Sequence, residues 1–128
     1  MKRILVVDDS RTILRQACGM LEEAGHEVAT AMDGFEAIAK IADFQPDLMF
    51  VDILMPRIDG YQTCSLVKNS RHHGGIPVVM VSSKSGPFDR ARGKIVGADG
   101  HISKPVGETE LLDAVEQYAV TADAVHDP

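Results

Sequence analysis

Ile4-Leu5-Val6-Val7-Asp8-Asp9-Ser10 sets an apolar run against two adjacent acids and a serine suited to capping a helix. A short run of this kind, rich in branched aliphatics and closed by polar residues, reads as a buried strand feeding a helix. Leu48-Met49-Phe50-Val51-Asp52 repeats the pattern and ends on a third acid, while Gly100-His101-Ile102-Ser103-Lys104-Pro105 ends on a lysine. If these runs are neighbouring parallel strands, all four charges emerge at one edge of one sheet. Gathered carboxylates repel one another and are costly to desolvate unless a cation compensates. The pattern therefore predicts a site that holds a divalent metal and something anionic.

Two further runs, Val28–Ala31 and Val78–Val81, bring the strands to five, and Pro77 stands before the latter, where its missing N–H does least harm. Between them lie amphipathic segments. Ile13, Leu14, Ala17, Met20, Leu21 and Ala24 share one helical face, with Ser10 as cap and Gly25 as stop. Asp33 caps a second helix carrying Ile38, Ile41 and Ala42. A third runs from about Tyr61 to Asn69 with Tyr61, Cys64 and Val67. Phe88, Ala91, Ile95 and Ala98 mark a fourth, and Leu111, Leu112, Val115, Tyr118 and Ala119 a fifth with Gly107 at its cap. Strands alternating with helices predict an α/β fold, (βα)5, with a parallel sheet covered on both faces. Right-handed crossovers leave the doubly wound order 2-1-3-4-5 as the common five-stranded solution. Its switch point lies at the carboxyl ends of the first and third strands, where Asp8, Asp9 and Asp52 fall.

At 128 residues with 45% hydrophobic content the chain is expected to form one domain with a real core. A net charge of −6 argues against binding nucleic acid or anionic lipid. The opening apolar stretch is too short for a signal peptide or a membrane span, so a cytoplasmic protein without membrane insertion is expected. Cys18 and Cys64 lack metal-ligand spacing and read as reduced packing residues. Apolar periodicity fades after Val120, which predicts a domain over residues 1–120 and a flexible tail over 121–128.

Asp8-Asp9-Ser10, Asp52 followed by Met55-Pro56-Arg57-Ile58-Asp59-Gly60, Ser82-Ser83-Lys84 and Lys104-Pro105 together resemble the receiver domain of two-component response regulators. The resemblance spans about residues 3–120, and the flavodoxin-like order 2-1-3-4-5 is the established one for chemotaxis receivers. It implies Asp52 as phospho-acceptor, attacking a phosphohistidine to form an acyl phosphate. It implies Mg2+, for which Mn2+ can substitute, held by Asp8, Asp9, Asp52 and the Leu54 backbone carbonyl. Lys104 would pair with Asp52 or its phosphate, and Ser82 would donate its hydroxyl to a phosphoryl oxygen. The Lys104–Pro105 bond is expected to be cis, against about 5–6% for X–Pro bonds in general. The implied partners are a histidine kinase of the chemotaxis type and a protein target on the surface of the fourth helix, fifth strand and fifth helix, the protein being a monomer or weak dimer. Eight residues after Val120 cannot form an output domain, so signalling through the receiver's own surface is expected. Such a protein catalyses only its own phosphorylation and slow dephosphorylation.

Within the family, Asp33-Gly34-Phe35-Glu36-Ala37, Ile58-Asp59-Gly60-Tyr61-Gln62-Thr63-Cys64 and Ser82-Ser83-Lys84-Ser85-Gly86-Pro87-Phe88-Asp89 are similar to the stand-alone regulators of type IV pilus twitching motility. One position departs: receivers usually carry Tyr or Phe where this chain has His101, three residues before the lysine. His101 is either a switch residue or a half-exposed strand residue. Leu54 and Lys84 offer no group to position a hydrolytic water, which predicts a phosphoryl lifetime longer than seconds. Plainer roles compete elsewhere. Asp59 reads as a helix cap, Ser83 and His72-His73 as loop residues, His26 as exposed, and Tyr118 and Phe88 as packing. Lys84, Arg90, Arg92 and Lys94 form a solvated basic face or meet an acidic partner. Competing functions are a phosphorylation-independent adaptor, a phosphate sink, a Mg2+-dependent phosphatase and a flavodoxin-like cofactor binder, the last disfavoured because an acidic first loop repels phosphate.

Overall fold

The computed structural model describes residues 1–83 and 87–126; Lys84, Ser85 and Gly86, and so the role expected of Lys84, lie outside the described residues, as does the side chain of Phe88. Ten elements alternate along the chain: β1 (Arg3–Val7), α1 (Arg11–Glu23), β2 (Glu27–Ala31), α2 (Gly34–Phe44), β3 (Leu48–Asp52), α3 (Gly60–Lys68), β4 (Val78–Ser82), α4 (Pro87–Ile95), β5 (Gly100–Ser103) and α5 (Glu108–His126). The strands form one parallel sheet in the order β2-β1-β3-β4-β5. Its register sets Val7 beside both Ala31 and Val51, Asp52 beside Val81, and Ser82 beside Ser103. Asp8, Asp52, Ser82 and Lys104 therefore line up along one edge.

Successive strand residues point to opposite faces, so each apolar run supplies two cores. Leu5, Val7, Met49 and Val51 pack with Ile41, Tyr61, Cys64 and Val67 under α2 and α3. Ile4, Val6, Phe50 and Val79 pack with Leu14, Leu21, Leu111 and Val115 under α1 and α5. Burying each such side chain contributes about 1.5–3 kcal/mol.

The helix starts follow from local chemistry. Ser10 Oγ accepts the Ile13 N–H, Asp33 Oδ1 accepts the Glu36 N–H, and Asp59 and Gln62 form a reciprocal capping box. Gly25 adopts the left-handed conformation that stops α1.

Two elements depart from the sequence pattern. In α4, Ala91 and Ile95 are exposed, Ile95 by 84%, whereas Gly93 is buried and Val96 and Ala98 pack on the core beside α3. Apolar periodicity does not register a buried glycine. Past Val120, where the domain boundary was expected, the backbone of α5 continues helical to His126. Ala122 and Ala124 are strong helix formers and no Gly or Pro intervenes before Pro128, so backbone hydrogen bonding outlasts the apolar pattern. Among the described residues, no helix is long and apolar enough to cross a membrane.

Candidate phosphoryl-accepting site

The edge is built from strand ends. Asp8 follows β1 directly and is buried; its N–H donates to Ala31 O at 3.0 Å, and its Oδ1 accepts the Ser10 N–H at 2.9 Å. Asp52 is the last residue of β3 and is also buried. Gly60 at the start of α3 lies so close to the Asp52 carbonyl that a Cβ there would collide with it. Beyond β5, the Lys104 N–H donates to Ser82 O at 3.0 Å, and the Lys104–Pro105 peptide bond is cis.

From this position the Lys104 ammonium donates to Asp8 Oδ2 at 3.1 Å and stands 3.1 Å from Asp52 Oδ1. Asp9 is exposed at the rim, yet Asp8, Asp9 and Asp52 can each offer a carboxylate oxygen within 4.8 Å of the other two. Lys104 thus bridges two of the three gathered carboxylates. Burial raises the Asp52 carboxyl above the ordinary range, Asp8 adds to the rise, and Lys104 opposes it only in part. Burial by itself would lower the Lys104 ammonium, but its hydrogen bonds to Asp8 and Asp52 more than offset that and leave it raised.

The donor set fits a hard divalent cation. Octahedral Mg2+ holds oxygen at about 2.0–2.1 Å, so opposite ligands stand about 4 Å apart, close to the span of the three carboxylates. Leu54 lies two residues past Asp52 with its side chain exposed. Ser82 is buried at the end of β4, one strand from Asp52.

His101 stands apart from the acids. It is half-buried on β5 opposite Met80 and lines a separate cavity of about 280 Å3 with Arg90, Lys94 and Tyr118. Beside the acids, a second cavity of about 440 Å3 lies between Ile13, Ala17 and Met20 of α1 and Val106 and Leu111 near the start of α5. Cys18 and Cys64 are free thiols, as their spacing suggested. His26 is half-buried, and its Nδ1 accepts the Lys2 N–H at 3.1 Å, a contact to the strand's start that its position after a helix stop did not signal. In the sequence Arg57 stands out only as part of the stretch Met55-Pro56-Arg57-Ile58-Asp59-Gly60. Its side chain pairs with Asp33 and lies over the Phe35 ring, 24 and 22 residues away in sequence, with no local signal to reveal it.

Known proteins share this architecture. The response regulator receiver domain matches residues 4–116. Protein PilG of Pseudomonas aeruginosa is 52% identical over 116 residues, covering 91% of this chain and 86% of that protein. Protein PilH of the same organism is 36% identical over 115 residues, covering 90% of this chain and 95% of that protein. Among solved structures, the chemotaxis protein CheY4 of Vibrio cholerae superposes with a TM-score of 0.88 at 33% identity, covering 92% of this chain and 98% of that one. With its five-stranded 2-1-3-4-5 sheet and acids gathered at the switch point, the chain belongs to the response regulator receiver family.

Proposed function

We propose that this response regulator accepts a phosphoryl group on Asp52 from a histidine kinase of the chemotaxis type and then signals by binding a protein target. The observation that carries this reading is the single Lys104 ammonium reaching both Asp8 and Asp52 while Asp9 closes the cluster. An Asp52 oxygen attacks phosphorus; the new P–O bond forms as the P–N bond to the donor imidazole breaks, and that electron pair returns to the ring nitrogen. Lys104 holds the acceptor carboxylate in place and pairs with the phosphoryl group afterwards. Ser82 donates its hydroxyl to a phosphoryl oxygen, and His101 relays the change along β5 to the surface of α4, β5 and α5. Mg2+ or Mn2+, held by Asp8, Asp9, Asp52 and the Leu54 carbonyl, would neutralise charge on the transferring group. The protein turns over only its own acyl phosphate, and it acts as a monomer or weak dimer in the cytoplasm.

Similarity to PilG and PilH supports a role in type IV pilus twitching motility. The experiment is incubation with acetyl phosphate and Mg2+ followed by intact mass. Wild type gains the mass of one phosphoryl group and Asp52→Asn gains nothing. In cells, deleting the gene abolishes twitching, and the Asp52→Asn form fails to restore it. Full restoration by that variant would point instead to the phosphorylation-independent adaptor.

A further inference from the structure

The segment between β3 and α3 is tied firmly at its two ends. At one, Ile53 is buried and its N–H donates to Val81 O at 3.2 Å; at the other, the Gly60 N–H donates to Ile53 O at 2.8 Å and Asp59 closes the capping box. In the middle, Leu54, Pro56 and Arg57 are exposed. Arg57 has φ 71°, a left-handed backbone conformation that a non-glycine residue adopts at an energetic cost and holds only where its surroundings impose it.

The surroundings here are on another loop. The Arg57 guanidinium pairs with Asp33 Oδ2 and lies 5.1 Å from the centre of the Phe35 ring. Asp33 is itself fixed, because its other oxygen caps α2 through the Glu36 N–H at 2.8 Å. Beneath the pair, Gly34 packs so tightly on Ile58 and Thr63 that a Cβ there would collide with both. The start of α2 and the loop after β3 thus meet through a buried contact and an arginine strap above it.

We infer that Arg57 is a positioning residue: strapped to Asp33 and Phe35, it fixes the loop that carries Leu54, two residues past Asp52, and thereby sets the affinity for the divalent cation. The inference rests on the metal-dependent reading of the site given above. Outer residues that orient a ligand typically change metal affinity by about 10–100-fold when removed.

Charge makes the test decisive. Removing a cation near an acidic site should tighten Mg2+ binding by simple electrostatics, whereas loss of the strap should weaken it. Mg2+ binding is measured by isothermal titration calorimetry on wild type, Arg57→Ala, Arg57→Lys and Asp33→Asn, with far-UV circular dichroism as the check on folding. Arg57→Ala is expected to raise the Kd about tenfold. Arg57→Lys restores charge without the planar fork and should recover only part of the affinity. Asp33→Asn keeps the α2 cap and loses the ion pair, but removing an anion weakens cation binding by itself, so the charge-preserving Arg57→Lys carries the test if Arg57→Ala proves poorly folded. Unchanged or tighter binding in folded Arg57→Ala, or wild-type affinity in Arg57→Lys, overturns the inference. Failure of wild type itself to bind Mg2+ instead removes the metal-dependent reading on which it stands.

Discussion

The two edges of the sheet handle charge in opposite ways. At the amino-terminal edge, acids meet donors in matched numbers. Lys68 Nζ donates to Asp99 Oδ2 at 2.6 Å and to Ile76 O at 2.7 Å, the Val78 N–H reaches the same Asp99 oxygen at 2.8 Å, and Asp47 accepts the Arg3 N–H at 2.8 Å. At the carboxyl-terminal edge, Asp8, Asp9 and Asp52 gather around Lys104, the one lysine paired with them among the described residues. A balanced cluster supports the fold, while an acidic surplus at a switch point costs stability and is suited to a cation and a phosphoryl group. The difference separates scaffold from site.

The largest effect is expected at the balanced edge. Lys68→Met leaves Asp99 without its ammonium and the Ile76 carbonyl without its donor, at a cost of about 2 kcal/mol. Urea unfolding should show a lower midpoint at unchanged slope. Because Asp99 is partly exposed, the double variant Lys68→Met with Asp99→Asn should recover some of that loss, and no change in midpoint for Lys68→Met would break the contrast between the edges.

Asp52→Asn should move stability the other way. Asp52 carries a carboxyl raised chiefly by burial and by Asp8, so ionising it in the folded state is harder than in the unfolded chain. Its folded form binds the proton more tightly, and stability falls as pH rises from the unfolded value through the folded one. Above the folded value the penalty is fully present, and there Asp52→Asn without metal should be more stable by about 1 kcal/mol. The gain should shrink as pH falls toward the ordinary aspartate range, where wild type takes up its own proton. Thermal melts in EDTA across that range check it. Added Mg2+ should narrow the gap by stabilising wild type through binding.

The acid edge was largely legible because its members end apolar runs, and strand order follows from handedness once five βα units are counted. Ser10, Asp33 and Asp59 announced their helices by type and position. What escaped is of two kinds. Gly93 is buried and supplies no apolar side chain, so of the apolar face read as Phe88, Ala91, Ile95 and Ala98, Ala98 packs on the core while Ala91 and Ile95 are exposed. Gly100 is similar: the Tyr118 ring lies where its Cβ would stand, a packing visible only once α5 crosses β5. The Arg57 strap and the Lys68–Asp99 pair join distant segments, and no local period encodes such meetings. His101 was placed on its strand by sequence, but the cavity it lines with Arg90 and Lys94 arises only from how α4 packs.

A smaller effect tests whether the amino-terminal edge responds to pH with the opposite slope. His26 Nδ1 accepts the Lys2 N–H, which only a ring unprotonated at that nitrogen can do. Burial lowers its affinity for a proton, and the positive N-terminal amine and Lys2 lower it further. The unfolded chain therefore protonates first as pH falls below about 6.5, and stability present above that value is lost until the folded ring also titrates. Solvent screening keeps the loss to a few tenths of a kcal/mol. His26→Gln, which retains an acceptor but cannot titrate, should flatten the decline in urea midpoint between about pH 7 and pH 5.5. An unchanged slope would mean that the Lys2 contact does not discriminate between the two states of the ring, and the edges would then differ in charge balance alone.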